Sequence, residues 1–165
     1  MSNFNSQKII APIMRFVNMK GIIALKDGML AILPLTVVGS LFLIIGQLPF
    51  EGLNQAIASV FGDTWTEPFM QVYSGTFAIM GLISCFSIGY SYAKNSGVEP
   101  LPAGVLSLSS FFILLKSSYV PAKGEPIGDA ISKVWFGGQG IIGAIIIGLV
   151  VGAIYTVFIQ RHIVI

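Results

Sequence analysis

Charge is what this chain has least of. Only 10% of its 165 residues are Asp, Glu, Lys or Arg, against 55% hydrophobic residues. Water-soluble domains carry about 25% charged residues, so there is too little charge here to cover a surface facing water. The formal net charge of +2 is small and dispersed, which excludes the clustered basic face that nucleic acid requires. A single cysteine, Cys85, excludes an internal disulfide, and neither a redox compartment nor a metal site can be read from it. The single histidine, His162, adjoins Arg161 at the end of an apolar run, where an interfacial residue is the simpler reading than a catalytic base. The amino terminus is expected to be mature protein, because the first strongly apolar run starts only near residue 28 and no small-residue cleavage site follows.

The uncharged residues are not scattered. Gly28 to Phe50, Pro68 to Ala93 and Val134 to Gln160 contain no charge at all. Each exceeds the ~20 helical residues that cross a hydrocarbon core of ~30 Å. A charge at mid-bilayer costs ~2.5–3.5 kcal/mol or more, so its absence over such lengths has a physical cause. A fourth stretch, Pro100 to Leu115, is shorter and holds Pro102, Ser107, Ser109 and Ser110. It reaches full length only if Lys116 snorkels and the helix continues to about Val120; otherwise it is re-entrant or interfacial.

The expected fold is therefore all-α: a polytopic membrane protein with about four spans, approximately 29–50, 68–93, 100–120 and 135–160. Residues 1–28 are expected to form an interfacial amphipathic segment, because Lys8, Arg15 and Lys26 fall on one line of a helix and Ile9, Ile13, Phe16 and Val17 on another. Pro12 and Gly21 would shorten or break it. With both ends cytoplasmic, Lys8, Arg15, Lys20, Lys26, Lys94 and Arg161 lie inside and Lys116, Lys123 and Lys133 outside, as the positive-inside rule favours. Trp65, Trp135 and Tyr119 would then sit at the outer boundary, and Pro34 would kink the first span.

Motifs for chemistry are weak. Gly138-Gln-Gly140-Ile-Ile-Gly143 spells G-x-G-x-x-G, but it lies inside a membrane-length run, and Gln160, Arg161 and His162 stand where the acidic ribose ligand belongs. No cofactor is expected. The same segment has a physical reading: Gly140, Ala144, Gly148, Gly152 and Thr156 recur every four residues and form one ridge of small side chains. Gly81, Cys85, Gly89 and Ala93 repeat that pattern in the second span. Such ridges let helices approach closely in a medium as apolar as they are, within the chain or in a dimer. Ser91-Tyr-Ala-Lys94 matches S-x-x-K without the companion motifs of a serine acyl enzyme. No Asp, Glu or His falls inside the three long runs, so no catalytic or metal residue is nominated.

Leu25-Lys-Asp-Gly-Met29 and Leu33-Pro-Leu-Thr-Val-Val-Gly-Ser-Leu-Phe42 are followed by Tyr90-Ser-Tyr-Ala-Lys94 and Leu101-Pro-Ala-Gly-Val-Leu-Ser-Leu108. Gly138-Gln-Gly140, Ile154-Tyr155 and Ile163-Val-Ile165 complete the series. In order and spacing these strings resemble the enzyme IIC permeases of the bacterial phosphotransferase system, lactose/cellobiose (diacetylchitobiose) branch. The resemblance implies a multi-pass protein of the bacterial inner membrane that imports a disaccharide while a cytoplasmic enzyme IIB phosphorylates it. It implies dimerisation through the amino-terminal helices. Family members are roughly two and a half times as long, and their sugar-binding His and Glu residues lie beyond the position matching Ile165. The expectation is thus a truncated or split permease, inactive alone, whose partners are the bilayer, a second copy or the missing carboxy-terminal half. Two other readings remain at this stage: a membrane scaffold that moves no solute, and a homo-oligomeric channel lined by Gln47, Gln71 and Ser84.

Overall fold

The protein is described by a computed structural model, which covers residues 18–118, 120, 121, 123, 128 and 130–161. Seven α-helices are found among the described residues, and no strand. They are α1 (Lys20–Ala31), α2 (Leu33–Gly46), α3 (Glu51–Phe61), α4 (Glu67–Gly75), α5 (Met80–Asn95), α6 (Pro100–Leu114) and α7 (Ile141–Gln160). Three continuous helical stretches, Lys20–Gly46, Glu67–Asn95 and Gly138–Gln160, are long and apolar enough to cross a membrane, with 27, 29 and 23 residues.

The breaks within these stretches have local causes. The first is interrupted at Ile32, directly before Pro34 in the opening turn of α2. Proline has no N–H to donate and its ring displaces the carbonyl four residues earlier, so the kink expected at Pro34 takes the form of a helix restart. The second is interrupted at Thr76, whose hydroxyl donates back to Val72 O at 2.6 Å, followed by one 3-10 turn at Phe77–Ile79. Gly138–Gly140 forms another 3-10 turn that opens α7. The G-x-G-x-x-G string is thus a helix start with no strand before it.

Two expected bounds are revised and one helix is added. Residues 20–28 belong to α1 together with 29–31, so the boundary expected at residue 28 falls inside a helix; residues 1–17 of the amphipathic segment lie outside the described residues, as do Tyr119 and His162. The stretch after the first span holds α3, whose N-terminal turn carries Glu51 and none of whose residues is buried; its 11 residues, with Glu51, Asn54 and Gln55 among them, are too short and too polar for a span. Finally, α6 stops at Leu114, with Leu115 extended at φ −77° and ψ 139°. Its 15 residues give about 22 Å at 1.5 Å each, less than a full crossing, and the continuation to Val120 does not form.

The chain divides into two compact units. One comprises the described residues up to Ala31, Ser84–Leu115 and those from Ile142; the other comprises Ile32–Ile83 and Lys116–Ile141. In the first, the core is made of small groups: Ala24, Cys85, Ala93, Ala103, Ala144, Ser84 and Ser107 are fully buried, with Ile88 and Phe111 as the large members. The outer faces carry the bulk. On α7, Ile142, Ile146, Val150, Ile154 and Phe158 face outward while Ala144, Gly148, Gly152 and Thr156 are buried. That helix is sorted by side-chain size rather than polarity, as expected where the surroundings are lipid. In the second unit, α2 packs on α4, with Gly39 buried against Thr76 and Phe77. Leu33, Val37, Leu41 and Ile44 of α2 face outward.

Candidate functional site: a glycine seam and the crevice beside it

Within the first unit, α5 is packed on three sides by close helix contacts. A methyl group built on Gly148 would lie 2.9 Å from Cys85 O and 3.0 Å from Ile88 Cβ. One on Gly152 would lie 2.9 Å from Tyr92 Cβ and 3.3 Å from the Gly89 backbone. These contacts join Cys85 and Gly89 of the second-span ridge to Gly148 and Gly152 of the last-span ridge. The two ridges face each other inside one chain, and Ala144 is fully buried with them.

The remaining ridge members, Gly81 and Gly140, lie in the second unit. A methyl on Gly81 would meet the carbonyls of Phe136 and Gly137 at 2.8 Å, and Gly81 N–H donates to Phe136 O at 2.7 Å. Gly140 presses on the Trp135 carbonyl. Both glycines thus serve the loop that enters α7. Trp135 is itself 46% exposed, while Trp65 makes an edge contact with Phe69 at 6.0 Å.

On its second side, α5 meets α6. Gly89 faces Ser107 Oγ, and Gly104 faces the Phe86 ring, whose nearest atom lies 2.7 Å from a built methyl. One bond fastens this contact, Cys85 Sγ donating to Ser107 O at 3.2 Å, while Ser107 Oγ donates back within α6 to Ala103 O at 2.8 Å. Cys85 is a buried packing residue with no exposed surface. The turn joining the two helices closes on Gly97, at φ 75°, where Gly97 N–H donates to Lys94 O and Val98 N–H to Ala93 O. This double bond pattern caps the end of a helix with a left-handed residue that favours glycine.

The third side was not foreseen from spacing. Gly28 of α1 lies against Ile88, and a methyl there would be 2.6 Å from Ile88 Cγ1 and 2.8 Å from both Cα and N. Ile88, fully buried, is therefore gripped between Gly28 and Gly148. Gly28 lies at the edge of the expected first span and its small partner four residues back, Ala24, lies outside that span, so the pair of buried small residues does not stand out as a ridge.

Next to this seam the ends of α1 and α5 enclose a crevice of about 300 Å³, lined by Asp27, Ala31, Phe86, Tyr90, Lys94 and Asn95 among others. Asn95 Nδ2 donates to Asp27 Oδ2 at 3.0 Å, and Lys26 Nζ stands 3.3 Å from Asp27 Oδ1. Ser91 and Lys94 both line it, with no hydrogen bond between them and no third partner of an acyl-transfer site. Nearby, Gln160 Nε2 donates to Ser96 O at 3.0 Å. Among the described residues no group of His, Cys, Asp or Glu has the arrangement to hold a metal ion. The site can bind and pack; it holds no nucleophile–base pair.

Comparison with known proteins bears on the whole chain. Residues 26–165 match the family described as "Phosphotransferase system, EIIC". The chain is 37% identical over 165 residues to the Lichenan permease IIC component of Bacillus subtilis, covering 96% of this chain and 36% of that protein. It is 37% identical over 149 residues to the PTS system cellobiose-specific EIIC component of Geobacillus stearothermophilus, covering 86% and 33%. In structure it is similar to the transporter ChbC, the IIC component of the N,N'-diacetylchitobiose-specific phosphotransferase system, with a TM-score of 0.87 at 30% identity over 98% of this chain and 39% of that one. The chain spans about a third of the length of these relatives. Its helices are those of a membrane protein, and over 26–165 it belongs to the EIIC family of the phosphotransferase system, matching the amino-terminal part of its sugar permeases.

Proposed function

We propose that these residues form the packing scaffold of a permease that imports a disaccharide coupled to its phosphorylation. The observation that carries this reading is the family match across residues 26–165 together with a fold similar to ChbC over 98% of the chain. Relatives named for lichenan and cellobiose at 37% identity favour a β-linked glucose disaccharide as the sugar class. The partner that phosphorylates it is a cytoplasmic enzyme IIB, since a relative named as a lactose-specific EIICB component carries both parts in its name.

In this reading the protein sits in the bacterial inner membrane with its amino terminus in the cytoplasm, and its basic leading segment lies among the headgroups. Cys85 and Gly89 with Ala144, Gly148 and Gly152 hold α5 and α7 together, and Gly81 and Gly140 hold the loop that enters α7. The outward apolar faces are then left for lipid, a second copy and the rest of a permease. The sugar pocket itself is supplied by residues outside these 165.

The test is uptake of labelled cellobiose into vesicles. Vesicles holding only these residues should take up none above the lipid background. Vesicles that also hold the remaining two thirds of a relative, with enzyme IIB and its phosphoryl donor, should accumulate sugar phosphate. Saturable uptake that needs enzyme IIB from the 165 residues alone would refute the scaffold assignment. An amino-terminal cysteine tag that reacts with an impermeant maleimide in whole cells would refute the orientation.

A further inference from the structure

The crevice between α1 and α5 changes chemistry along its length. Phe86 and Ala31 line one end, the hydroxyl-bearing Tyr90 and Ser91 the middle, and Asp27 and Lys94 the other. From Phe86 to Lys94 the α5 axis advances about 12 Å at 1.5 Å per residue. The apolar end lies within the uncharged run of the second span, and the charged end closes that run. One molecule filling this space must be apolar at one end and charged at the other. It must also tolerate both signs of charge, since Asp27 of α1 and Lys94 of α5 both line the crevice.

We propose that the crevice binds a phospholipid whose headgroup carries a primary amine. Its phosphate meets Lys94, which makes no ion pair among the described residues. Its ammonium meets Asp27, whose two oxygens take one bond from Asn95 and one contact from Lys26. A carboxylate offers about four acceptor positions, so Asp27 stays competent for a further donor. Tyr90 and Ser91 stand at the depth of the glycerol esters, and Phe86 and Ala31 at the start of the acyl chains. A trimethylated amine brings the same charge without N–H donors, and a glycerol headgroup brings no cation; each loses the Asp27 contact. The inference rests on the membrane placement of the helices and not on sugar transport, so lipid binding and uptake can fail separately.

The test is lipid retention by the purified, delipidated chain in detergent, counted by native mass spectrometry at equal concentrations of dioleoyl phosphatidylethanolamine, phosphatidylcholine and phosphatidylglycerol. The ethanolamine lipid should be retained about two- to five-fold better than either other lipid, the range of one charge contact near a surface. Asp27→Asn preserves a partner for Asn95 and should erase the preference over choline. Lys94→Gln should lower retention of all three. Comparing lipids on the unaltered protein needs no variant, so a misfolded variant does not blunt the test. Equal retention of the three lipids by the unaltered chain overturns the proposal. Displacement of bound lipid by millimolar phosphoethanolamine, with no need of acyl chains, also overturns it and assigns the crevice to a free phosphoamine.

Discussion

The sharpest consequence of the structure concerns one hydrogen atom. Replacing Gly28 by Ala puts a methyl 2.8 Å from the Cα and N of Ile88 and 2.6 Å from its Cγ1. Carbon atoms in contact prefer about 3.5–4.0 Å, so α1 and α5 must part locally by roughly 0.7 Å. A gap of that size forfeits about a quarter to a half of the dispersion attraction across the contact. In lipid no hydrophobic transfer term is there to offset the loss, because the surroundings of a parted helix are as apolar as its seam. The general cost of overpacking is about 1–3 kcal/mol, and alanine returns up to about 1 kcal/mol of helix propensity. Gly28→Ala should therefore destabilise by about 1–2 kcal/mol. Gly143→Ala is the matched control: its added methyl meets nothing within 4 Å, so it should be neutral or slightly stabilising. The measurement is reversible unfolding in mixed micelles of mild detergent and dodecyl sulfate, followed by circular dichroism. Equal stabilities of the Gly28 and Gly143 variants would refute the reasoning, as would a Gly28 variant more stable than the parent.

Other expectations follow from the same contacts. Gly104→Ala meets only ring atoms of Phe86, so adding Phe86→Leu should restore most of the stability that Gly104→Ala removes; the corresponding pairing of Gly28→Ala with Ile88→Ala should not, because two of its three clashes are with backbone. Ile88→Ala by itself should cost about 1–3 kcal/mol in the same unfolding assay, the lower part of the range for core truncations, since only packing is lost in an apolar medium. Thr156 Oγ1 is buried without a hydrogen-bond partner, so Thr156→Val should stabilise by up to about 1 kcal/mol. Cys85, with no exposed surface, should resist maleimide in mild detergent and react at once in dodecyl sulfate; rapid labelling of the folded protein would contradict its place in the seam.

Hydropathy is a property of residues taken one at a time, and it is cumulative along a helix. The three uncharged runs therefore announced lipid as the medium, and the order of short strings across the chain pointed to the permease family. A four-residue period is likewise internal to one helix, which is why the spacing of Gly148, Gly152, Cys85 and Gly89 is legible in the sequence. Which surface each ridge meets is a relation between distant residues, and only the tertiary structure decided it. It turned the two ridges toward each other, gave Gly81 and Gly140 to a loop, and set Gly28 against Ile88 across sixty residues of chain. It also ended α6 at Leu114, where the backbone turns extended ahead of Lys116, and drew Asp27 and Lys94 to one crevice. Composition chose the solvent because solvation acts on each side chain separately. Packing chose the contacts because steric fit exists only between pairs.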